Sequence, residues 1–182
     1  MNTKIKRTND ELKASRPTMD EVKKIPKLPI SILVENVRSV YNVGSIFRSA
    51  DGFGASKIYL TGYTAYPPRE DISKTALGAD KVVSWEHYKN PLEAAKKIIK
   101  EGISLVLVEQ TIKSKSIYFS KFSYPLCFIV GNEVKGVSEE LSEMATVHAE
   151  IPMRGVKQSL NVSVATGVAG YEFSRIYSSL RK

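Results

Sequence analysis

Hydrophobic and polar positions divide the chain near residue 30. Beyond it, short apolar runs rich in Val, Ile and Leu alternate with longer stretches whose apolar positions recur every three to four residues. That is the pattern of strands alternating with helices. Residues 30–34 read as a buried strand, and residues 42–53 as a helix ended by Gly52 and Gly54. Residues 58–60 and 82–85 read as strands, and 91–100 as a helix with Pro91 in its first turn. Strongly apolar strands follow at 104–108 and 126–130, then a short helix at 137–145 and a strand at 147–151. A closing helix is predicted from Ser159 to about Leu180. Strands alternating with helices in this way predict one α/β domain over residues 30–182, its largely parallel sheet flanked by helices on both faces.

Residues 1–29 differ. They hold eight basic residues (Lys4, Lys6, Arg7, Lys13, Arg16, Lys23, Lys24, Lys27) against four acids (Asp10, Glu11, Asp20, Glu21). Thr8–Glu11 and Thr18–Glu21 each have capping-box spacing, so short helices are predicted there, punctuated by Pro17, Pro26 and Pro29. This basic N-terminal arm reads equally as a solvated extension or as a grip on a phosphate backbone.

Composition narrows the function classes. With 27 Lys and Arg against 19 Asp and Glu the chain carries a net charge of +8, which favours a polyanionic partner such as nucleic acid. No run approaches the roughly 20 apolar residues of a spanning helix, and the N-terminus lacks an apolar signal core, so a cytoplasmic protein without membrane contact is expected. The single Cys127 lies within an apolar run and is expected to be a small buried hydrophobe.

Several common chemistries are missing. The first strand leads into Glu35-Asn36-Val37-Arg38-Ser39, without the glycines of a dinucleotide-binding turn. The run 131–138 comes near a P-loop, but Val137 stands where the phosphate-binding Lys must be. His87 and His148 are isolated, so no metal site is expected, and no Gly-x-Ser-x-Gly elbow is present.

Three polar loops remain, each at the C-terminal end of a predicted strand or opening the helix after it. Ligands of open α/β sheets bind at that edge. The first is 42–51, with Asn42 as a candidate cap and Arg48 on the first turns of the helix. The second is 131–136, with Gly131 and Gly136 around Asn132 and Glu133. The third runs from Ile151-Pro152-Met153-Arg154 to Ser159 and Asn161, with Ser159 read as the cap of the closing helix.

These loops, Asn-Val-Gly-Ser-Ile-Phe-Arg at 42–48, Gly-Asn-Glu at 131–133 with Gly136, and Ile-Pro-Met at 151–153 followed by Ser-Leu-Asn-Val-Ser-Val-Ala at 159–165, resemble in order and spacing the three motifs of the SpoU/TrmH class of RNA ribose 2′-O-methyltransferases, in the SPOUT superfamily. Lys74-Thr75-Ala76-Leu77-Gly78-Ala79 is similar to a fourth shared block, and the resemblance spans about residues 30–178. It implies a C-terminal deep trefoil knot, S-adenosylmethionine as cofactor, RNA as partner and a homodimer with its active sites at the subunit interface. It implies that Asn42, Arg48, Glu133, Ser159 and Asn161 form the catalytic site. Gly131, Asn132, Ile151, Met153, Ser159 and Leu160 would line the donor pocket, and Arg48, Arg69, Lys74 and Arg154 would contact RNA. A guanidinium holds its proton too firmly to be an easy base, so Arg48 is expected to orient the phosphate and stabilise a developing oxyanion.

The chain departs from many members by carrying Val134 rather than a second glycine after Glu133, and by having only about 29 residues before the first strand, too few for a separate RNA-binding domain. A β-branched residue resists positive φ, so the second loop is expected to run differently. Tyr63, Tyr66 and Arg69 lie in a Pro-rich loop and suit either base stacking or packing of the loop on itself. The short chain and basic arm favour tRNA over rRNA as substrate. A base methyltransferase and a non-catalytic RNA-binding protein on the same scaffold are the alternatives.

Overall fold

A computed structural model describes residues 5–181. The N-terminal segment contains two short helices, α1 (Asn9–Ala14) and α2 (Met19–Lys24), each closed by the expected capping box at Thr8 and Thr18. Lys4, counted in the basic arm, lies outside the described residues. The domain then runs β1 (Ile30–Glu35), α3 (Val40–Phe53), β2 (Lys57–Thr61), α4 (Glu70–Ala76), a 3-10 turn (Ala79–Lys81), β3 (Trp85–Tyr88), α5 (Pro91–Lys100), β4 (Ser104–Val108), β5 (Lys115–Ser116), β6 (Leu126–Val130), α6 (Glu139–Glu143), β7 (Val147–Glu150) and α7 (Val162–Ser179).

The seven strands form one sheet in the order β3-β2-β1-β6-β4-β7-β5, and every pairing is parallel. Successive side chains of a strand face opposite sides, so the apolar runs feed two cores. Ile30, Ile32 and Val34 of β1 pack with Phe128, Phe47 and Phe173 on the side of α3 and α7. Leu33 packs with Leu105, Leu107, Ile129 and Cys127 on the side of α5 and α6. Cys127 is fully buried, as expected, and that burial pushes its thiol up to about 12. The closing helix lies against α3, where the Cβ that Gly170 lacks would fall 2.2 Å from the Phe53 ring.

Element boundaries differ from the expectations where caps and edges decide them. The helix predicted from Asn42 starts at Val40, and its cap is Ser39, whose Oγ accepts from Asn42 N at 3.3 Å. The strand predicted at 82–85 is displaced to Trp85–Tyr88, because Val82 and Val83 still bond back to Ala79 O in the 3-10 turn. Val83 is buried from that turn rather than from a strand. The short helix predicted at 137–145 is confined to Glu139–Glu143, and α4 and the two-residue β5 were not predicted. The closing helix begins at Val162: its cap is Asn161, not Ser159, which lies outside the helix.

Candidate active site

Because all strands run parallel, their C-terminal ends share one edge of the sheet. There the ends of β4, β6 and β7, the loop after β6 and the segment leading into α7 enclose a cavity of about 270 Å³. All six predicted donor-pocket residues, Gly131, Asn132, Ile151, Met153, Ser159 and Leu160, line it, as do Glu133 and Asn161.

The loop after β6 is shaped by backbone bonds. Asn132 and Gly136 exchange N–H···O bonds of 3.0 Å in both directions, and a Cβ on Gly131 would stand 2.4 Å from the Gly136 backbone. Asn132 Oδ1 accepts from Val134 N and Lys135 N, both at 2.9 Å, while its Nδ2 donates to Asn36 O and Tyr63 Oη, both at 2.9 Å. Asn132 therefore holds the loop with its whole side chain. The left-handed conformation falls on Gly136, with φ 68°, and Val134 takes no positive φ, so the valine sits in the loop without backbone strain.

Three predicted residues from three separate motifs meet in one hydrogen-bonded chain. Glu133 accepts from Arg38 N and Ser39 N at 3.1 Å each, and from Asn42 Nδ2 at 3.0 Å. Asn42 Oδ1 accepts from Asn161 Nδ2 at 3.1 Å. Asn161 Oδ1 accepts from Ser163 N at 2.9 Å and Ser163 Oγ at 2.7 Å. The amide orientations follow from the ends of the chain. A carboxylate only accepts and a backbone N–H only donates, so both amides are forced into one orientation. Burial raises the Glu133 carboxyl, but the N–H groups of Arg38 and Ser39 and the Asn42 amide outweigh it and hold the group below its ordinary range. Glu133 is thus an ionised carboxylate at the N-terminus of α3, where the helix dipole favours negative charge.

Among the described residues the cavity is lined by three carboxylates, Glu109, Glu133 and Glu150, and by no Lys or Arg. Between them lie apolar walls from Val108, Val130, Ile151, Met153 and Leu160. Glu150 Oε2 accepts from Ser114 Oγ at 2.9 Å, and Glu109 Oε1 from the backbone of Gln110 at 2.9 Å. Such a lining suits a cationic ligand with an apolar, partly planar body and disfavours a phosphate. Glu109 and Glu150 are not singled out by the sequence, although Glu109 directly follows β4 and Glu150 ends β7, where the sheet edge puts ligand-facing side chains. Among the described residues no group of three or more His, Cys, Asp or Glu side chains could hold a metal ion.

The remaining predicted residues stand apart from this cavity. Arg48 is exposed on α3, does not line the cavity, and has no side-chain hydrogen bond or ion pair among the described residues. Lys74, an expected RNA contact, makes exposed pairs with Glu70 at 3.4 Å and Asp71 at 3.5 Å on its own helix. Arg154 is exposed in the segment after β7, and Arg69 borders a second cavity at the ends of β2 and β3. No helix among the described residues is long and apolar enough to cross a membrane.

The sequence model of the SpoU rRNA methylase family matches residues 29–171. A tRNA (guanosine(18)-2′-O)-methyltransferase of Aquifex aeolicus is 35% identical over 147 residues, covering 79% of this chain and 68% of that one. The crystal structure of the A. aeolicus TrmH/SpoU tRNA modifying enzyme superposes with a TM-score of 0.78 at 28% identity, covering 88% of this chain and 83% of that one. An AdoMet-bound rRNA methyltransferase from Sinorhizobium meliloti superposes with a TM-score of 0.73 at 26% identity; 86% of this chain is covered, but only 60% of that one.

Proposed function

From the chain's membership of the SpoU methylase family, we propose that it transfers the methyl group of S-adenosylmethionine to a ribose 2′-hydroxyl of RNA, and that the RNA is tRNA. The observation that carries the reading is the cavity itself: among the described residues, three carboxylates and no cation, set among apolar walls at the end of a parallel sheet. That lining fits a donor whose sulfonium and amino groups are positive and whose adenine is flat. The tRNA preference is supported by the Aquifex relative, a tRNA enzyme by name, and by the basic arm.

When bound, the donor supplies an electrophilic methyl group. The chain's residues supply position, and holding two reactants in line is a large part of the barrier reduction available to such a reaction. Gly131, Ile151, Met153 and Leu160, with Ser159 and Asn161, line the cavity and would enclose the donor. Both Glu133 oxygens are engaged by N–H donors, so Glu133 serves as a positioning group rather than a base. It orients Asn42, which orients Asn161. Arg48 binds the RNA phosphate beside the target ribose and stabilises the oxyanion as the hydroxyl loses its proton to phosphate or water.

Arg48 has no partner in its own chain among the described residues, and α3 and α7, which pack together, leave Tyr41, Val164 and Tyr171 exposed. A homodimer built on these helices would cover the aromatic surface and bring Arg48 to a site shared between subunits. Residues 1–29 act as an RNA-gripping arm on the domain 30–182, with Arg69 and Arg154 as further RNA contacts. The segment 151–161 and the loop 131–136 close on one cavity, the arrangement a C-terminal trefoil knot would produce. A protein acting on tRNA in this way belongs in the cytoplasm.

The reading is tested by incubating the protein with methyl-labelled donor and total RNA from a strain lacking it, then analysing nucleosides and mapping the label. Label on ribose, in tRNA, is expected. Label on a base, or no transfer from a donor shown by calorimetry to bind, would overturn it.

A further inference from the structure

The same sheet edge carries a second cavity, of about 490 Å³, on the far side of β1 from the first. It is formed by residues 62–69 after β2 and by His87 and Lys89 at the end of β3. Its lining inverts that of the donor cavity: Arg69, Lys89 and His87 contribute and, among the described residues, no carboxylate does. The side chains of Arg69 and Lys89 have no hydrogen bond or ion pair among the described residues, and both are exposed.

Two aromatic rings stand in this groove in fixed positions. Tyr63 is 61% exposed, yet its hydroxyl accepts from Asn132 Nδ2 at 2.9 Å and its backbone N–H donates to Asn36 Oδ1 at 3.2 Å. Tyr66 is 46% exposed and rests one face on His87, with ring centroids 4.3 Å apart and planes at 33°. The loop that carries them is pinned by Thr64, whose Oγ accepts from Val37 N at 3.0 Å, and by the contact of His87 Nε2 with Gly62 O at 3.1 Å. Packing of the loop on β3 accounts for Tyr66 against His87 and Trp85. It does not account for a tethered Tyr63 left largely in solvent beside two unpaired cations.

We propose that this groove is a nucleotide subsite that takes an unpaired base of the RNA near the methylated ribose. The base stacks on Tyr63 and Tyr66, and Arg69 and Lys89 hold its flanking phosphates. The assignment rests on the RNA-methyltransferase reading above. Aromatic faces bind any base, and unpaired RNA is recognised in this manner. Adjacent strands lie about 4.8 Å apart, so the end of β2 is on the order of 10 Å from the end of β6, about three steps of a stacked strand. Asn132 links the two cavities: the side chain that holds Tyr63 also holds the donor loop through Val134 N and Lys135 N.

The test uses the full chain with bulk tRNA from a strain lacking it, measuring RNA affinity by filter binding over a salt series and donor affinity by calorimetry. Tyr63→Ala is expected to weaken tRNA binding about tenfold, while Tyr63→Phe, which keeps the ring, stays within about threefold of the parent. The double variant Arg69→Ala with Lys89→Ala, confined to exposed side chains, is expected to make the log–log salt slope shallower by about two. Donor affinity is expected to be unchanged in the double variant. Equal losses in Tyr63→Ala and Tyr63→Phe would reduce Tyr63 to a tie for the donor loop and overturn the proposal, as would an unchanged salt slope in the double variant. If the parent protein methylates RNA and these variants bind it normally, the subsite alone fails; if the parent methylates no RNA, the enzymatic reading fails.

Discussion

Asn161 donates its side-chain amide to Asn42 Oδ1 at 3.1 Å across 119 residues of sequence, and it is also the cap of α7. One side chain therefore starts the closing helix with its oxygen and fixes the first motif with its nitrogen. Aspartate separates the two tasks. Asn161→Asp keeps the capping oxygen and adds favourable charge at a helix N-terminus, but it sets an acceptor against Asn42 Oδ1. The thermal midpoint is expected to stay within a few degrees while methyl transfer falls at least about tenfold. A variant that loses midpoint and activity together would show that capping is the residue's only role.

Glu133 gives a pH signature. Its folded carboxyl is held below the ordinary value of 4.5, so it contributes stability that is present above that value and lost as pH falls through the lower folded value. Glu133→Gln removes that contribution. Its stability deficit relative to the parent is expected to be small, less than about 1 kcal/mol for so exposed a group. The deficit should be constant at neutral pH and vanish in acid below the ordinary carboxylate range. A deficit that grows on acidification would contradict the direction of the shift.

Arg48 is tested by separating binding from turnover. Arg48→Ala is expected to lower turnover by a factor of about 100 or more with donor affinity unchanged, since the residue does not line the donor cavity. Calorimetry with the donor and single-turnover methylation measure the two. Equal losses in both would place the residue at the donor instead.

Glu109 tests the acidic lining. The donor is a sulfonium cation, and the product after methyl transfer is a neutral thioether. Glu109→Gln is expected to weaken donor binding several-fold more than product binding, narrowing the ratio of the two affinities. An equal effect on both ligands would mean that Glu109 acts through shape or through the shared amino group.

The N-terminal arm is tested by removing residues 1–29. If it grips phosphates, tRNA affinity falls and the salt slope becomes shallower, whereas donor affinity is retained. Unchanged affinity and slope would make the arm a solvated extension.

Much of this molecule is determined locally, and that part was legible in the chain. The strands at 104–108 and 126–130 and the helix at 91–100 were placed correctly, because a continuous apolar run or an Asn90-Pro91 start is decided by residues within a few positions. The capping boxes at Thr8 and Thr18 were legible for the same reason. Local rules failed where a neighbouring element decides. Ser159 is as good a cap as Asn161 by residue type, but only Asn161 stands where the helix begins and the Asn42 amide waits. Val82 and Val83 read as strand, but the 3-10 turn before them keeps their backbone.

The α/β alternation, the three polar motifs and the family they signal can be read along the chain, since each resides in a short run of residues. Which residues of those motifs meet is set by the folded sheet. A parallel sheet brings the ends of distant strands to one edge, so the Glu133–Asn42–Asn161 chain, the acidic lining completed by Glu109 and Glu150, and the basic groove on the other side of β1 exist only once the strand order is set. Hydrogen bonds between groups 91 and 119 residues apart leave no periodicity and no spacing rule in the chain, because their geometry depends on which strands are neighbours.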